Sequence, residues 1–249
     1  MFERKKINLP FEGKIEPFKI IGHLYFIGTF QSSTHLIDTG DGLIVIDPGY
    51  DNAFYLVIDS IYKLGFKPKD VKYIINSHWH WDHVEATAAL KDLSGAKTLI
   101  GKGDKDNAMR YFTPDILISD GDKLSLGNTV IEFMETPGHT KGTISFFFNT
   151  TENDNTYRVG MFGGAGCNTL VKGAFDFDGC REAYINSINR LMKEKVDVFI
   201  GNHTWNNDTF GKAKLLKTSK TNPFIDDKLW KKFLEFCLDR LNAIIKENR

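Results

Sequence analysis

The sequence is poor in cysteine and contains no long apolar run. Three cysteines among 249 residues are too few and too far apart for a disulfide scaffold, which favours a reducing compartment. No stretch approaches the roughly eighteen consecutive apolar residues that a membrane-spanning helix requires. The opening segment MFERKKINLPFEGK carries charges without a following apolar core, so it does not resemble a signal peptide. We therefore predict a cytoplasmic protein with no membrane partner.

The chain also lacks net charge. Its 32 basic and 32 acidic residues cancel, so there is no general positive field to attract nucleic acid. The hydrophobic and charged fractions, 41% and 26%, are typical of globular proteins. No Pro/Ser-rich linker or low-complexity tract divides the sequence. We predict one domain spanning residues 1–249 that acts on a small molecule and binds no nucleic acid.

Hydrophobic periodicity predicts two β-rich halves, each with helices. Short β-branched or aromatic runs bounded by Gly, Asp and Pro predict strands at His23–Gly28, Ser33–Gly40, Gly42–Gly49, Val71–His78, Thr129–Thr140, Thr143–Thr150, Tyr157–Gly164 and Val196–His203. Apolar residues at helical spacing predict helices at Asn52–Phe66, Glu85–Leu93, Arg181–Lys195 and Asp226–Glu247. The last of these is an amphipathic packing helix. This order favours an α/β fold with two sheets packed face to face and helices outside.

Four residues of metal-ligating types lie within six positions at the end of the predicted strand Val71–His78. They are His78, His80, Asp82 and His83, in the pattern H-x-H-x-D-H. Residues two apart in extended backbone point the same way, so His78 and His80 can share one metal ion. The chain then turns, so Asp82 and His83 are offset and can face a second ion. The alternative, four solvated residues in a loop, is disfavoured by the positions of two further histidines.

Those two histidines also follow predicted strands. His139 lies in TPGHTKGT, where Pro137 and Gly138 form a loop that presents one side chain. His203 ends the strand VDVFIGNH. Five of the seven histidines therefore lie where a metal site could collect them, whereas His23 and His35 lie inside early strands and receive no role.

The order of these motifs resembles the metallo-β-lactamase superfamily. The resemblance rests on H-x-H-x-D-H after a strand, then T-P-G-H-T, then a late strand that ends in histidine. The segment LIVIDPG is similar to the family's first motif, whose aspartate, here Asp47, supports the metal ligands. The resemblance covers roughly Ile20 to His203. It implies a four-layer αβ/βα sandwich with the site at one edge of the two sheets.

The resemblance also implies two zinc ions per chain and a division of the six ligands. His78, His80 and His139 would hold the first zinc; Asp82, His83 and His203 would hold the second. A hydroxide on zinc would attack the substrate carbonyl, and Asp82 would orient it as the catalytic carboxylate. Neutral imidazoles suit zinc and leave a coordination position open for water.

One expected residue is missing. Most hydrolases of this superfamily place a metal-bridging aspartate where this chain has Gly163, Gly164 and Ala165. The remaining ligand set is most similar to the β-lactamase subclass with His/Asp ligands and no cysteine ligand. Cys167, about two residues from the aligned position, stays open as a rival ligand of the second zinc, although a buried structural thiol is favoured.

We therefore expect a zinc-dependent hydrolase that opens a cyclic, β-lactam-type amide. A thioesterase or lactonase with the same metals is the alternative, and a mononuclear iron persulfide dioxygenase is a further one that leaves His83 and His203 without a role. A nuclease is disfavoured by the neutral charge. Trp205 and Asn206 directly follow His203 and are candidates for a substrate-contacting loop, whereas Trp79 and Trp81 alternate with ligands and are expected to pack in the core.

Overall fold

The computed structural model describes residues 13–247. Residues 1–12, which contain most of the segment considered for a signal peptide, lie outside the described part, as do residues 248 and 249. Within it, no helix is long and apolar enough to cross a lipid bilayer.

The first sheet has seven strands that lie side by side in chain order. They are β1 (Phe18–Ile21), β2 (Leu24–Phe26), β3 (His35–Asp38), β4 (Leu43–Ile46), β5 (Val71–Asn76), β6 (Lys97–Gly101) and β7 (Ile116–Ile118). The strands from β1 to β4 pair antiparallel, and those from β4 to β7 pair parallel. The carboxyl ends of β4 and β5 therefore meet at the same edge of the sheet.

The second sheet has five strands in the order β12-β11-β10-β9-β8. They are β8 (Lys123–Leu126), β9 (Thr129–Glu135), β10 (Ile144–Glu152), β11 (Asn155–Met161) and β12 (Val198–Phe199). All neighbours pair antiparallel except β11 and β12, which run parallel.

Side-chain alternation along β10 explains how the second sheet is covered on both faces. Phe146 and Phe148 belong to the core cluster between the sheets, where they join β-branched residues of the first sheet such as Ile44 and Ile75. Phe147, between them in sequence, points to the opposite face and packs with Trp230. A strand with apolar residues on both faces requires a layer on each side.

Helices supply the two outer layers. The seven α-helices of the described residues are α1 (Phe54–Lys63), α2 (Trp81–Val84), α3 (Thr87–Ser94), α4 (Lys105–Ala108), α5 (Cys180–Leu191), α6 (Thr209–Leu215) and α7 (Leu229–Lys246). Val57 and Ile61 of α1 and Leu90 of α3 pack on the first sheet. Helices α5 and α7 pack on the second sheet. The expected four-layer αβ/βα sandwich is confirmed.

Several elements differ from those expected. The strand predicted at Val196–His203 is reduced to β12, and His203 instead pairs with Ser32 in an isolated antiparallel bridge. Ile200 still donates its backbone N–H to the Gly160 carbonyl of β11, and beyond it the Asn202 side-chain amide donates to the Gly163 carbonyl, 2.8 Å away. The C-terminal helix begins at Leu229 and not at Asp226. Strands β1, β6, β7 and β8 were not predicted.

Candidate metal centre

The candidate ligands lie where several strands end at one edge of the sandwich. Asp47 directly follows β4, and the segment Ser77–His83 follows β5. His139 lies four residues beyond β9, and His203 lies four residues beyond β12. Helix α2 begins immediately after His80, so Asp82 and His83 project from a helical turn and not from a strand.

The first group brings together His78, His80 and His139. One ring nitrogen from each lies within 4.8 Å of the others. Nδ1 of His80 is 2.9 Å from Nε2 of His139. The ring of His78 has its centroid 4.8 Å from that of His80 and 4.7 Å from that of His139. This convergence of nitrogen atoms from two separate loops matches the donor set that zinc prefers.

The remaining ring nitrogens of His78 and His139 are held by the protein. Nδ1 of His139 donates to the Gly166 carbonyl, 2.8 Å away. The Ser77 hydroxyl donates to Asp47, so it can accept from Nδ1 of His78 at 3.1 Å. Nε2 of His78 is then buried with no hydrogen-bond partner. A buried imidazole nitrogen with its lone pair directed into a cluster of donors fits a metal ion at that point.

The second group consists of Asp82, His83 and His203, whose donor atoms also lie within 4.8 Å of one another. Oδ2 of Asp82 is 3.4 Å from Nε2 of His83 and 3.7 Å from Nε2 of His203. Nδ1 of His203 donates to the Gln31 carbonyl, 2.9 Å away, which directs Nε2 toward Asp82. Each group of three ligands could therefore hold one ion.

Asp47 fixes the loop that carries these ligands. Its carboxylate is fully buried and accepts hydrogen bonds from the backbone N–H and hydroxyl of Ser77, at 2.7 and 2.6 Å. It also lies 3.0 Å from Nδ1 of His83. Asp47 adopts a left-handed backbone conformation, with φ of 49°, which aspartate tolerates better than most residues. The carboxylate thus holds Nδ1 of His83 and leaves Nε2 directed toward Asp82, the arrangement typical of an imidazole that binds a metal through Nε2.

Burial and neighbouring charge set the protonation of the two groups. Burial lowers the pKa of His78 and of His139 well below the usual value, and it lowers that of His80 to about 4. Burial also lowers the pKa of His83, but the carboxylates of Asp82 and Asp47 outweigh it and raise that pKa to about 10. Burial raises the pKa of Asp82, and the adjacent His83 more than reverses this shift. The first group is neutral at pH 7, which is the form that binds zinc.

Neighbouring backbone and side chains leave no room for a side chain at Gly163 or Gly164, where the bridging carboxylate was expected. A Cβ atom at Gly163 would collide with the Ile144 carbonyl, and one at Gly164 would collide with Thr143 and His139. Neither metal group contains a cysteine. Cys167 is buried, and its sulfur lies 3.9 Å from the hydroxyl of Tyr184. The first group therefore consists of three His side chains, and the second of one Asp and two His side chains.

A second buried carboxylate, Asp104, was not predicted. Its oxygens accept hydrogen bonds from the backbone N–H of Trp79 at 3.1 Å, the Thr140 hydroxyl at 2.7 Å and the Gly142 N–H at 2.6 Å. Burial raises the pKa of Asp104 to about 7. Asp104 thus ties the segment between His78 and His80 to the loop that carries His139. The sequence feature that could have indicated Asp104 is its position as an acidic residue shortly after β6, a strand whose carboxyl end lies at the same edge of the sheet as that of β5.

A cleft of about 790 Å³ opens above the two groups. Trp205 forms part of its wall and stacks on His203, with ring centroids 4.4 Å apart and planes 8° apart. Asn206 also lines the cleft, and its amide donates to Asn202 at 2.9 Å. The expectation of core packing is wrong for Trp81, which is 51% exposed in the cleft because helix α2 begins at this residue. Trp79 also lines the cleft, but it is half-buried and packs against a small core cluster of Val84, Ile100, Ala108 and Phe112.

A comparison with known protein families identifies the family of this chain. The family profile described as metallo-beta-lactamase superfamily matches residues 27–203, which include Asp47 and all six candidate ligands. This chain belongs to the metallo-β-lactamase superfamily. The family assignment expected from the motifs is confirmed, as is the expectation of a hydrolase.

Curated relatives within the superfamily carry the name hydroxyacylglutathione hydrolase. The protein of that name from Pelagibacter ubique is 29% identical over 216 residues, which span 79% of this chain and 85% of the relative. The one from Thermosynechococcus vestitus is 28% identical over 199 residues, which span 79% of this chain and 69% of the relative.

Solved structures with the same fold include subclass B3 metallo-β-lactamases. The chain superposes on BJP-1 of Bradyrhizobium japonicum with a TM-score of 0.89 and 27% identity, covering 95% of this chain and 96% of the other. For native FEZ-1 of Legionella gormanii, the TM-score is 0.90 and the identity 29%, covering 95% and 97%. These metallo-β-lactamases therefore match the chain along nearly its whole length.

Proposed function

We propose that this metallo-β-lactamase superfamily member is a dinuclear zinc hydrolase that opens cyclic, β-lactam-type amides. The observation that carries the proposal is the donor set. It comprises two groups of three His/Asp ligands, with glycine backbone where a bridging carboxylate would lie. The extended match to subclass B3 metallo-β-lactamases supports the same conclusion.

In this proposal, His78, His80 and His139 hold one zinc, and Asp82, His83 and His203 hold the other. Zinc bound at these positions supplies Lewis acidity and allows water to be activated at neutral pH. Asp82 faces the cleft as an anion, so its carboxylate can accept a hydrogen bond from the attacking water and orient it. Asp47 and the Gln31 carbonyl keep His83 and His203 from rotating as the substrate binds.

A thioesterase is the second candidate, because two curated relatives of the chain are named hydroxyacylglutathione hydrolase. The same ligands would serve, since attack on a thioester carbonyl requires the same polarisation and the same oriented water. The closed position at Gly163 and Gly164 counts mildly against this candidate. A mononuclear iron dioxygenase would leave His83 and His203 unused and is disfavoured.

The two candidates are separated by comparing kcat/KM of the zinc-loaded protein on nitrocefin, an N-acyl homoserine lactone and S-lactoylglutathione. We expect the highest kcat/KM on nitrocefin. A kcat/KM at least tenfold higher on the thioester would overturn the lactam proposal and establish the second candidate.

The control variants ask whether any measured turnover occurs at this site. Asp82→Asn should lower kcat on the best substrate by about a hundredfold or more, because a positioned proton acceptor contributes at least that much. Asp106→Asn, an exposed residue of α4, should leave kcat unchanged. Equal activities of the two variants would assign the turnover to a contaminant.

A further inference from the structure

Helix α7 contributes one wall of the cleft. Phe233, Phe236, Cys237, Arg240 and Ile244 line it, at the spacing of one helical face. Phe233 and Cys237 are buried at the base of this stripe, whereas Arg240 is exposed. Arg240 is the only Arg or Lys among the described residues that line the cleft, and Asp82 is the only carboxylate.

Short contacts connect this wall to the metal centre. The sulfur of Cys237 lies 4.0 Å from the Ala165 carbonyl. The next residue, Gly166, accepts the hydrogen bond from Nδ1 of His139. Arg240 lies three residues beyond Cys237 on the same face of α7, one helical turn away. A small molecule attacked beside His139 could therefore extend to Arg240.

The charge of Arg240 acts on this wall. Burial raises the pKa of Cys237 to about 12 and also raises that of Cys167, and the Arg240 charge opposes both shifts. The guanidinium packs over the Phe236 ring, 5.8 Å from its centroid. Ion pairs among the described residues engage Arg158 and Arg190 but not Arg240. The guanidinium can therefore donate two parallel N–H hydrogen bonds to a carboxylate of a ligand.

We propose that Arg240 binds a carboxylate of the substrate, on the wall of the cleft formed by α7, and so makes the enzyme selective for anionic substrates. This rests on the proposed hydrolase function and deepens it. A carboxylate near the scissile carbonyl is present in penicillins and cephalosporins, and glutathione thioesters carry two. The shared chemistry is the carboxylate, and the substrate class is left to the experiment.

The test compares substrates with and without the carboxylate. The lactam pair is benzylpenicillin and its methyl ester; the thioester pair is S-lactoylglutathione and the uncharged S-lactoyl-N-acetylcysteamine. The proteins are wild type, Arg240→Ala, Arg240→Lys and Lys232→Ala. Lys232 is exposed on α7 and lines a separate surface pocket, so its removal is the matched loss of a positive charge.

The decisive quantity is the ratio of KM between the members of a pair. In Arg240→Ala, we expect the preference for the carboxylate-bearing member to fall about tenfold, as for loss of one charge-assisted hydrogen bond in a partly exposed site. The kcat on the uncharged member should stay near that of wild type. Arg240→Lys should keep part of the preference, and Lys232→Ala all of it. Zinc also attracts carboxylates, but its contribution is common to all four proteins and cancels in the comparison.

Binding separates failure of this proposal from failure of the proposed function. Trp79, Trp81 and Trp205 line the cleft, so quenching of tryptophan fluorescence by benzylpenicillin and by its ester reports both Kd values without turnover. A wild type that cleaves neither class would refute the hydrolase function while the Kd ratio still tests Arg240. An unchanged KM or Kd ratio in Arg240→Ala would overturn the role of Arg240. This holds even if the variant binds both substrates of a pair more weakly than wild type, provided that both affinities fall by the same factor.

Discussion

Oδ2 of Asp47 lies 3.0 Å from Nδ1 of His83, and both side chains are almost completely buried. This contact fixes which nitrogen of His83 faces Asp82. Because Asp47 accepts the Nδ1 proton, Nε2 remains available as a ligand. The second candidate metal site therefore depends on a residue that does not belong to it.

Replacing Asp47 with Asn tests this dependence. The amide can donate to Nδ1 of His83, which would place the imidazole proton on Nε2 and block the ligand. We expect zinc affinity at the second site to fall about 10- to 100-fold, with the first site little affected. Competition with a chromophoric chelator measures both affinities. Equal weakening of both sites would indicate general disruption of the loop and not loss of orientation.

Removing His139 should eliminate most activity. We expect His139→Ala to bind one zinc fewer and to lose several kcal/mol of transition-state stabilisation, since the first ion would lack one of three ligands. Loss of the hydrogen bond to the Gly166 carbonyl should lower the free energy of unfolding by about 1–3 kcal/mol without changing the far-ultraviolet circular dichroism. His23→Ala is the matched control, because His23 lies outside both groups. Near-normal turnover with full metal content in His139→Ala would show that the ligand assignment is wrong.

Replacing Cys167 with Ser should leave zinc binding unchanged. The thiol contacts the Tyr184 hydroxyl and belongs to neither ligand group, so the substitution alters only local packing. Zinc titrations of variant and wild type should overlay, and bound zinc should not protect the thiol from a thiol reagent. Loss of the second zinc equivalent in the variant would instead identify Cys167 as a ligand, because zinc favours thiolate over a neutral hydroxyl.

The sequence was most informative where ligands are adjacent in the chain. His78, His80, Asp82 and His83 form a local pattern, and their division into two groups matches the two clusters of donor atoms. His139 and His203 were recognisable because each follows a strand. The sequence places glycines at 163 and 164, and a Cβ atom at either position would collide with neighbouring residues.

Residues that act through tertiary contacts were not predictable in this way. Asp104 reaches Trp79 and Thr140 only because β6 lies beside β5, and neither β6 nor that pairing was predicted. The amphipathic pattern of α7 predicted a packing helix. It did not indicate that Arg240, at the border of the apolar face, would line the cleft, because this depends on where α7 crosses the second sheet.

His35, to which the sequence assigned no role, predicts a pH dependence of stability. Burial lowers its pKa to about 4, although the Asp47 charge opposes the shift. The unfolded chain takes up this proton near pH 6.5, so the free energy of unfolding falls as pH drops from 6.5 to 4, by ~3 kcal/mol from this group. His35→Phe should lose correspondingly less stability than wild type over that range. Urea unfolding of both metal-free proteins at pH 7 and at pH 4.5 measures this, and parallel losses would refute it.

The central claim is that six side chains hold two zinc ions in one site. Anomalous diffraction at the zinc edge from crystals of the zinc-loaded protein tests it most directly. We predict two anomalous peaks per chain, about 3.5–4 Å apart, one among His78, His80 and His139 and the other among Asp82, His83 and His203. A single peak, or a purified protein that holds one iron and no zinc, would contradict the account.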